Sequence, residues 1–370
     1  MNTETVGATS AEGPPLYSTH TLYFGRLLEF LNLSLLVTTY QADKLVVLRC
    51  DDNGVNIHFQ HFRRPMGLAC DGERLAVGTA VEVCELRNDP ALAQELDPHG
   101  KRDACFLPRA KHVTGNVRVP DMAWVGDDLV FVNTRFSCLA RRAAGHSFAP
   151  CWRPPLISAL VPEDRCHLNG LGLRDGRVRY VTALAPSDQP AGWRAHKRDG
   201  GIVMDVATDE VLVRGLSMPH SPRWYAGRLW VLESGAGGVG FVDPRSGRYV
   251  SLAELPGFTR GLDFCGPLAF IGLSQVRESA VFSGIAIAER ALQERACGVW
   301  VLHIETGRTV AFLRFEEAVQ EIFAVQVLPG RRFPDLINDN AQLISDSFVL
   351  PDAALDEVAA FYRGPGSGAL

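Results

Sequence analysis

The chain has 370 residues, 46% of them hydrophobic, with 37 basic against 42 acidic side chains and a net charge of -5. That balance supplies no basic field for nucleic acid and no polybasic patch for a membrane surface, so neither is an expected partner. The 35 glycines and 22 prolines imply many turns without the excess of a low-complexity chain.

Residues 1–18 are rich in Thr, Ser, Gly and Pro and read as disordered. They lack a basic stretch followed by an apolar one, so no secretory leader is expected and the expected location is cytoplasmic. The nine cysteines are odd in number and form no CxxC pair. That pattern fits mostly buried free thiols in a reducing compartment and argues against a cysteine-based zinc site.

Residues 21–32 carry enough apolar side chains for a short helix, expected to lie across one end of the fold. Three strands follow, over 34–40, 43–50 and 55–62, with Asp51-Asp52-Asn53-Gly54 as a hairpin turn. A recurring pattern then begins: a polar cluster, a short apolar strand, a turn, and a second strand. Met66-Gly67-Leu68-Ala69, Asp121-Met122-Ala123-Trp124, Leu168-Asn169-Gly170-Leu171, Ser221-Pro222-Arg223-Trp224 and Arg260-Gly261-Leu262-Asp263 are its five openings. The turn glycines at 72, 126, 176, 227 and 266 are spaced 54, 50, 51 and 39 residues apart, the period of propeller blades.

The five units fall at about 65–115, 119–155, 166–217, 219–257 and 259–315. Residues 82–118 and 184–200 read as Pro- and charge-rich loops. The last unit holds an insertion over 275–296, helical in its second half, in which Arg277-Glu278 suits part of a lid or, more ordinarily, a surface ion pair. Residues 321–330 then read as an innermost strand without companions. The first unit lacks such a strand, so the chain's end closes the ring and removes the exposed sheet edges. The prediction is an all-β, six-bladed β-propeller over residues 19–330; a seventh blade is the alternative if the long loops hide strands. Residues 331–370 form an appendage with a short helix around 352–362.

In a propeller the entry ends of the innermost strands surround one mouth of the central channel, the usual place for a ligand. Here those positions are Arg64, Asp121, His167 with Asn169, His220 with Arg223, Arg260 and Glu321, a set rich in ionisable groups. The histidines suit acid–base work or metal ligation, or a plain hydrogen bond to a strand-entry carbonyl. Glu321 suits a base or anion partner, or a salt bridge tethering the closing strand; Asp121 carries the same two readings. Arg64, Arg223 and Arg260 suit a carboxylate or phosphate clamp, or braces between blades. The glycine-rich 234–240 opens no helix and is no phosphate loop, and Gly-x-Ser-x-Gly is absent.

Cys166-His167-Leu168-Asn169-Gly170-Leu171, Met218-Pro219-His220-Ser221-Pro222-Arg223-Trp224, Asn133-Thr134-Arg135-Phe136-Ser137-Cys138-Leu139 and Arg260-Gly261-Leu262 resemble a bacterial conserved-hypothetical family over about residues 25–335. That resemblance implies a propeller and brings no activity with it. The family pattern often has a His near the start of the second internal unit. Val119-Pro120-Asp121-Met122 stands there instead, which argues against a multi-histidine metal site. More distantly, the layout is similar to six-bladed calcium-dependent lactonases and to strictosidine-synthase-like enzymes. By that likeness Asn169 and Glu321 would hold a metal in the first case, and Glu321 would do acid–base work in the second.

The leading expectation is an enzyme of small-molecule metabolism, a hydrolase, lyase or cyclase, acting on an anionic substrate. His220 and Glu321 transfer protons, with Asp121 as a further carboxylate. Arg223, Arg260 and Arg64 hold the anionic group, and His167 and Asn169 orient the substrate. The alternatives are a non-catalytic ligand- or protein-binding propeller and a metal-dependent, lactonase-like hydrolase; no cofactor other than a divalent metal is suggested.

Overall fold

The computed structural model describes residues 3–10, 13–52, 54–243, 245–276 and 282–358. It is an all-β, six-bladed propeller. Blade one takes its innermost strand, Val325–Pro329, from the end of the chain and its other three, Leu33–Thr39, Lys44–Asp51 and Gly54–His61, from the beginning. Val325 pairs with Val37 and Pro329 with Leu33, so the predicted closure forms, with residues 321–324 entering the strand rather than lying in it. The other innermost strands are Leu68–Cys70, Met122–Val125, Leu168–Arg174, Pro219–Tyr225 and Phe258–Cys265, opening blades two to six.

Side chains alternate across each strand, and the apolar ones fill the seams between blades. Trp230, Ile271 and Trp300 lie between blades five and six; Leu36, Val47, Leu75 and Phe106 lie between one and two. Gly172 shows why the inner strands need small residues: a Cβ there would stand 2.6 Å from the Pro222 carbonyl oxygen of the next blade. Gly261, with φ near +79°, meets Val325 in the same way, at 2.5 Å.

A set of side-chain hydrogen bonds links successive blades. Each uses a hydroxyl at the end of a blade's second strand and the backbone carbonyl that begins the next innermost strand. Thr38 donates to Met66 O (2.6 Å), Thr134 to Leu168 O (2.7 Å), Ser234 to Thr259 O (2.5 Å) and Ser274 to Ile322 O (3.1 Å). From blade four the link has two steps, Thr182 to Asn169 Oδ1 (2.6 Å) and Asn169 Nδ2 to Pro219 O (3.0 Å). The innermost edges are therefore satisfied by the neighbouring blade where no further strand exists. Each such bond stabilises the fold by roughly 1 kcal/mol.

Several expectations change. Within residues 1–18, expected to be disordered, the described part is strand: Thr3–Ser10 and Gly13–Thr21 form a hairpin, and Ser18, Thr19 and His20 pair with the outer strand of blade six. A polar, Thr-rich segment suits an edge strand facing water as well as it suits disorder. Residues 82–118 hold two strands, Glu82–Asn88 and Ala104–Val113, joined through a helix that Asp89 caps. The helix Phe24–Phe30 packs Phe24 and Leu28 into the core between blades one and six. In the C-terminal appendage, Pro334–Leu336 pairs in parallel with the outer strand of blade two. Its Asp335 is held by His58 (2.9 Å) and Arg102 (2.5 Å). Burial opposes that carboxylate's charge, but these partners outweigh it and hold it well below the usual carboxylate range. A short helix spans Asp352–Leu355, inside the predicted 352–362; residues 359–370 lie outside the described residues. All nine cysteines are unbridged and six are buried.

Candidate functional site

Asp121, Arg223 and Asn169 belong to the frame of the channel. Asp121 faces Arg223 in a two-pronged ion pair, with Oδ2 at 2.9 Å from Nη1 and Oδ1 at 3.1 Å from Nη2. It also accepts from the backbone N–H groups of Leu171 and Met122, and Arg223 donates to Leu171 O at 2.7 Å. Burial disfavours the Arg223 cation, but Asp121 more than offsets it and raises the guanidinium above its ordinary value. One knot thus joins blades three, four and five. Asp263 plays the matching part between blades six and one, accepting from Val327 N and from Gln326 Nε2, both at 2.7 Å. Asn169 has its amide occupied on both sides by the link described above. These three predicted site residues are braces, and their polar atoms are spent on the protein.

The entry end is different. His167 turns Nδ1 to the Asp164 carboxylate at 2.9 Å, and Asp164 also holds Arg118 at 3.2 Å. A carboxylate only accepts, so Nδ1 is the donor, and Nε2 is the nitrogen that carries the lone pair in the neutral ring. Nε2 has no hydrogen-bond partner among the described residues. The ring lies against Trp193, centroids 4.3 Å apart. Asp164 escaped the sequence reading; its only signal was an acid three residues before the histidine.

His220 is buried. Its Nδ1 lies 2.8 Å from Met218 O and 2.9 Å from Ser234 Oγ. Ser234 gives its own proton to Thr259 O, so both partners accept and Nδ1 is the protonated nitrogen. The Nε2 lone pair then receives Arg260 Nη2 at 3.2 Å. Burial, and next Arg260, hold the imidazolium well below its ordinary pKa, so His220 is neutral at physiological pH. The hydrogen bond to a strand-entry carbonyl that the sequence left open is present, and the proton-transfer role assigned to His220 is not supported.

Arg260 has its guanidinium 4.1 Å from the centre of the Phe323 ring. No carboxylate lies within ion-pair distance among the described residues, and its buried Nε has no hydrogen-bond partner. Burial lowers its pKa to about 10, with Glu321 acting in the opposite direction, so it remains charged. Glu321 is half-buried and makes no salt bridge among the described residues. Beyond Phe323 stands Tyr40, ring centroids 5.1 Å apart, and beyond Tyr40 stands the exposed Arg64 at 5.5 Å. The mouth therefore gathers His167, Arg260, Glu321, Tyr40 and Arg64 from blades four, six, one and two.

Loop 184–200 and residues 282–296 of the insertion roof one side of this mouth. Trp193, Met218, Phe258, Ile285 and Ile287 pack together over it, and Arg198 reaches Glu289 at 2.9 Å. Arg277 and Glu278 lie outside the described residues. A polar groove of about 580 Å³ lies elsewhere, at the rim where this loop meets Arg214, and it holds none of the predicted residues. Its Asp188 is already bound to Arg165 and Ser158.

The donors do not make a metal site of the lactonase kind. Asn169 is saturated, and His220 Nε2 faces a guanidinium, where a second cation would be repelled. Among the described residues no three His, Cys, Asp or Glu side chains converge. Nor, among those residues, is any helix long and apolar enough to cross a membrane.

A family described as a domain of unknown function, DUF4915, matches residues 23–337. The chain belongs to that family. No curated protein sequence matches this DUF4915 chain. Its fold is similar to a chain of the nidogen/laminin complex, with 10% identity over 80% of this chain and 99% of the other and a TM-score of 0.51. A protein of unknown function from Bacteroides caccae matches with 11% identity over 80% and 98% of the two chains, TM-score 0.48. A virginiamycin B lyase from Staphylococcus aureus matches with 10% identity over 75% of each chain, TM-score 0.38. At these identities the likeness concerns the propeller fold, and it does not single out the lactonase or strictosidine-synthase groups.

Proposed function

We propose that the DUF4915 propeller is an enzyme that binds a small anionic molecule at the channel mouth and moves a proton on it. Arg260 holds the anion. His167, oriented by Asp164, takes the proton through Nε2, and Glu321 is the second proton-transfer group. His220 keeps Arg260 in place as a neutral hydrogen-bond acceptor. The observation that carries this reading is Arg260 itself: among the described residues its guanidinium has no carboxylate in contact, and its buried Nε–H has no partner. A buried polar group left unsatisfied costs about 1–3 kcal/mol, more when charged, and sites that persist at such a cost are commonly functional. A carboxylate or phosphate would satisfy it with charge-assisted hydrogen bonds. The Nδ1–H···carboxylate pairing of His167 is the arrangement that makes the opposite nitrogen a base.

The test is a thermal-shift screen of carboxylate and phosphate metabolites, followed by turnover assays on the ligands found. Arg260→Gln should abolish the shift, and His167→Asn should keep binding and lose turnover. Ligands that bind equally well to Arg260→Gln overturn the anion site. Binding without turnover in the native protein leaves a ligand-binding propeller and removes the enzyme.

A further inference from the structure

The groove of about 580 Å³ at the rim has the volume of a small-molecule site. Loop 184–200 lends it His196 and Asp199, and the outer strand of blade four, Val211–Leu216, lends it Arg214. All three residues are exposed, and none of their side chains has a hydrogen-bond or ion-pair partner among the described residues. Arg214 and Asp199 thus line one groove with opposite charges and do not meet. The remaining charged wall residue, Asp188, is held by Arg165 at 2.7 Å and by the Ser158 N–H at 3.0 Å. Ile202, which pairs with Arg214 across the sheet and is buried, gives the groove an apolar side. Next to Arg214 the strand bulges at Gly215, whose φ is +84°, between the Leu216 and Arg214 pairs. A bulge of this kind bends an edge strand and re-aims its side chains.

The mixture of charges narrows what fits. A simple anion gains Arg214 and faces Asp199 and Asp188. A simple cation gains Asp199 and faces Arg214. A metal ion finds one free carboxylate beside a guanidinium. We infer that the groove binds a small zwitterion, an amino acid, with its carboxylate on Arg214 and its ammonium group on Asp199. His196 is then left to donate to or accept from a polar substituent, through whichever ring nitrogen suits it. The site is separate from the mouth and does not depend on the chemistry proposed there.

The experiment titrates glycine, β-alanine, 4-aminobutyrate and 5-aminopentanoate into the full chain by calorimetry, beside butyrate and butylamine. The first four vary the distance between the two charges, and the last two carry one charge each. An exposed ion pair is worth a few-fold in affinity. The expected result is one amino acid binding about fivefold more tightly than either single-charge compound. Arg214→Gln and Asp199→Asn should each remove that preference with unchanged melting curves, and Arg260→Gln should leave it intact. No amino acid preferred over butyrate and butylamine, or a preference that survives both groove variants, overturns the inference. A preference lost in Arg260→Gln and kept in Arg214→Gln assigns the amino acid to the mouth and overturns it equally.

Discussion

Two tiers of polar side chains line the same innermost strands, and the protein treats them oppositely. Arg223 lies three residues beyond His220, and Asp263 three residues beyond Arg260; each strand bulges there, so the lower tier is about 7 Å deeper in the channel. In that tier every carboxylate and guanidinium is bound to another blade: Asp121 to Arg223 and Leu171, Asp263 to Val327 and Gln326. In the upper tier Arg260 reaches only the neutral His220, and among the described residues the side chains of Glu321 and Arg64 and the outward nitrogen of His167 have no hydrogen-bond or ion-pair partner. The same residue types on the same scaffold thus do two jobs, and saturation separates them. Braces use up their hydrogen-bonding capacity; a site keeps some in reserve.

The sharpest way to break this comparison is Asp121→Ala. It strands Arg223 among backbone carbonyls, and loss of a buried partner typically costs 3–5 kcal/mol. With 26% of the Arg223 side chain exposed, we expect about 3 kcal/mol, read as a lower urea midpoint. A change below about 1 kcal/mol would show that the lower tier is not a brace. Asn169→Leu comes next, at about 2 kcal/mol, because it leaves Thr182 and the Pro219 carbonyl unsatisfied.

A pH series probes His220. Its folded pKa is depressed, so below about 6.5 the unfolded chain binds a proton that the folded chain refuses. Stability should therefore fall as the pH drops from 6.5, by up to about 1.4 kcal/mol per unit for this group. His220→Gln should flatten that slope; an unchanged slope assigns the acid sensitivity to other groups. The smallest expected effect is that of Arg260→Gln on stability, within about 1 kcal/mol in either direction, because the native guanidinium already lacks a counter-charge in contact. A large loss of melting temperature would turn Arg260 into a brace and collapse the distinction between the tiers.

The fold was highly legible in the sequence, because strand–turn–strand units announce themselves locally. The turn glycines, the Asp51 to Gly54 hairpin and the lone apolar strand before Gly330 each carry a short-range signal, and closure follows once the first unit is seen to lack a strand. The links between blades were also written there and were overlooked. A Ser or Thr stands six to eight residues after each turn glycine, at 79, 134, 182, 234 and 274, and all but Thr79 join a link to the next blade. The roles at the mouth were harder to read. Asp121, Asn169, His220 and Arg260 occupy near-equivalent strand positions, and only the partner contributed from a blade 50 or 100 residues away decides which is spent. The Asp121–Arg223 pair spans 102 residues, a separation over which one sequence carries no contact information. The N-terminal hairpin failed for a related reason: its partner strand, Thr309–Phe315, lies nearly 300 residues away.

Closure by the chain's end also fixes a birth order. Val325–Pro329 leaves the ribosome after blades two to six, so during synthesis blade one waits as a three-stranded sheet while they assemble beside it. Phe323 and Glu321 arrive with that strand, as do the Ser274 link to Ile322 and the chain that covers the edge of blade two. The nascent protein therefore carries its histidines and Arg260 before the mouth around them is complete.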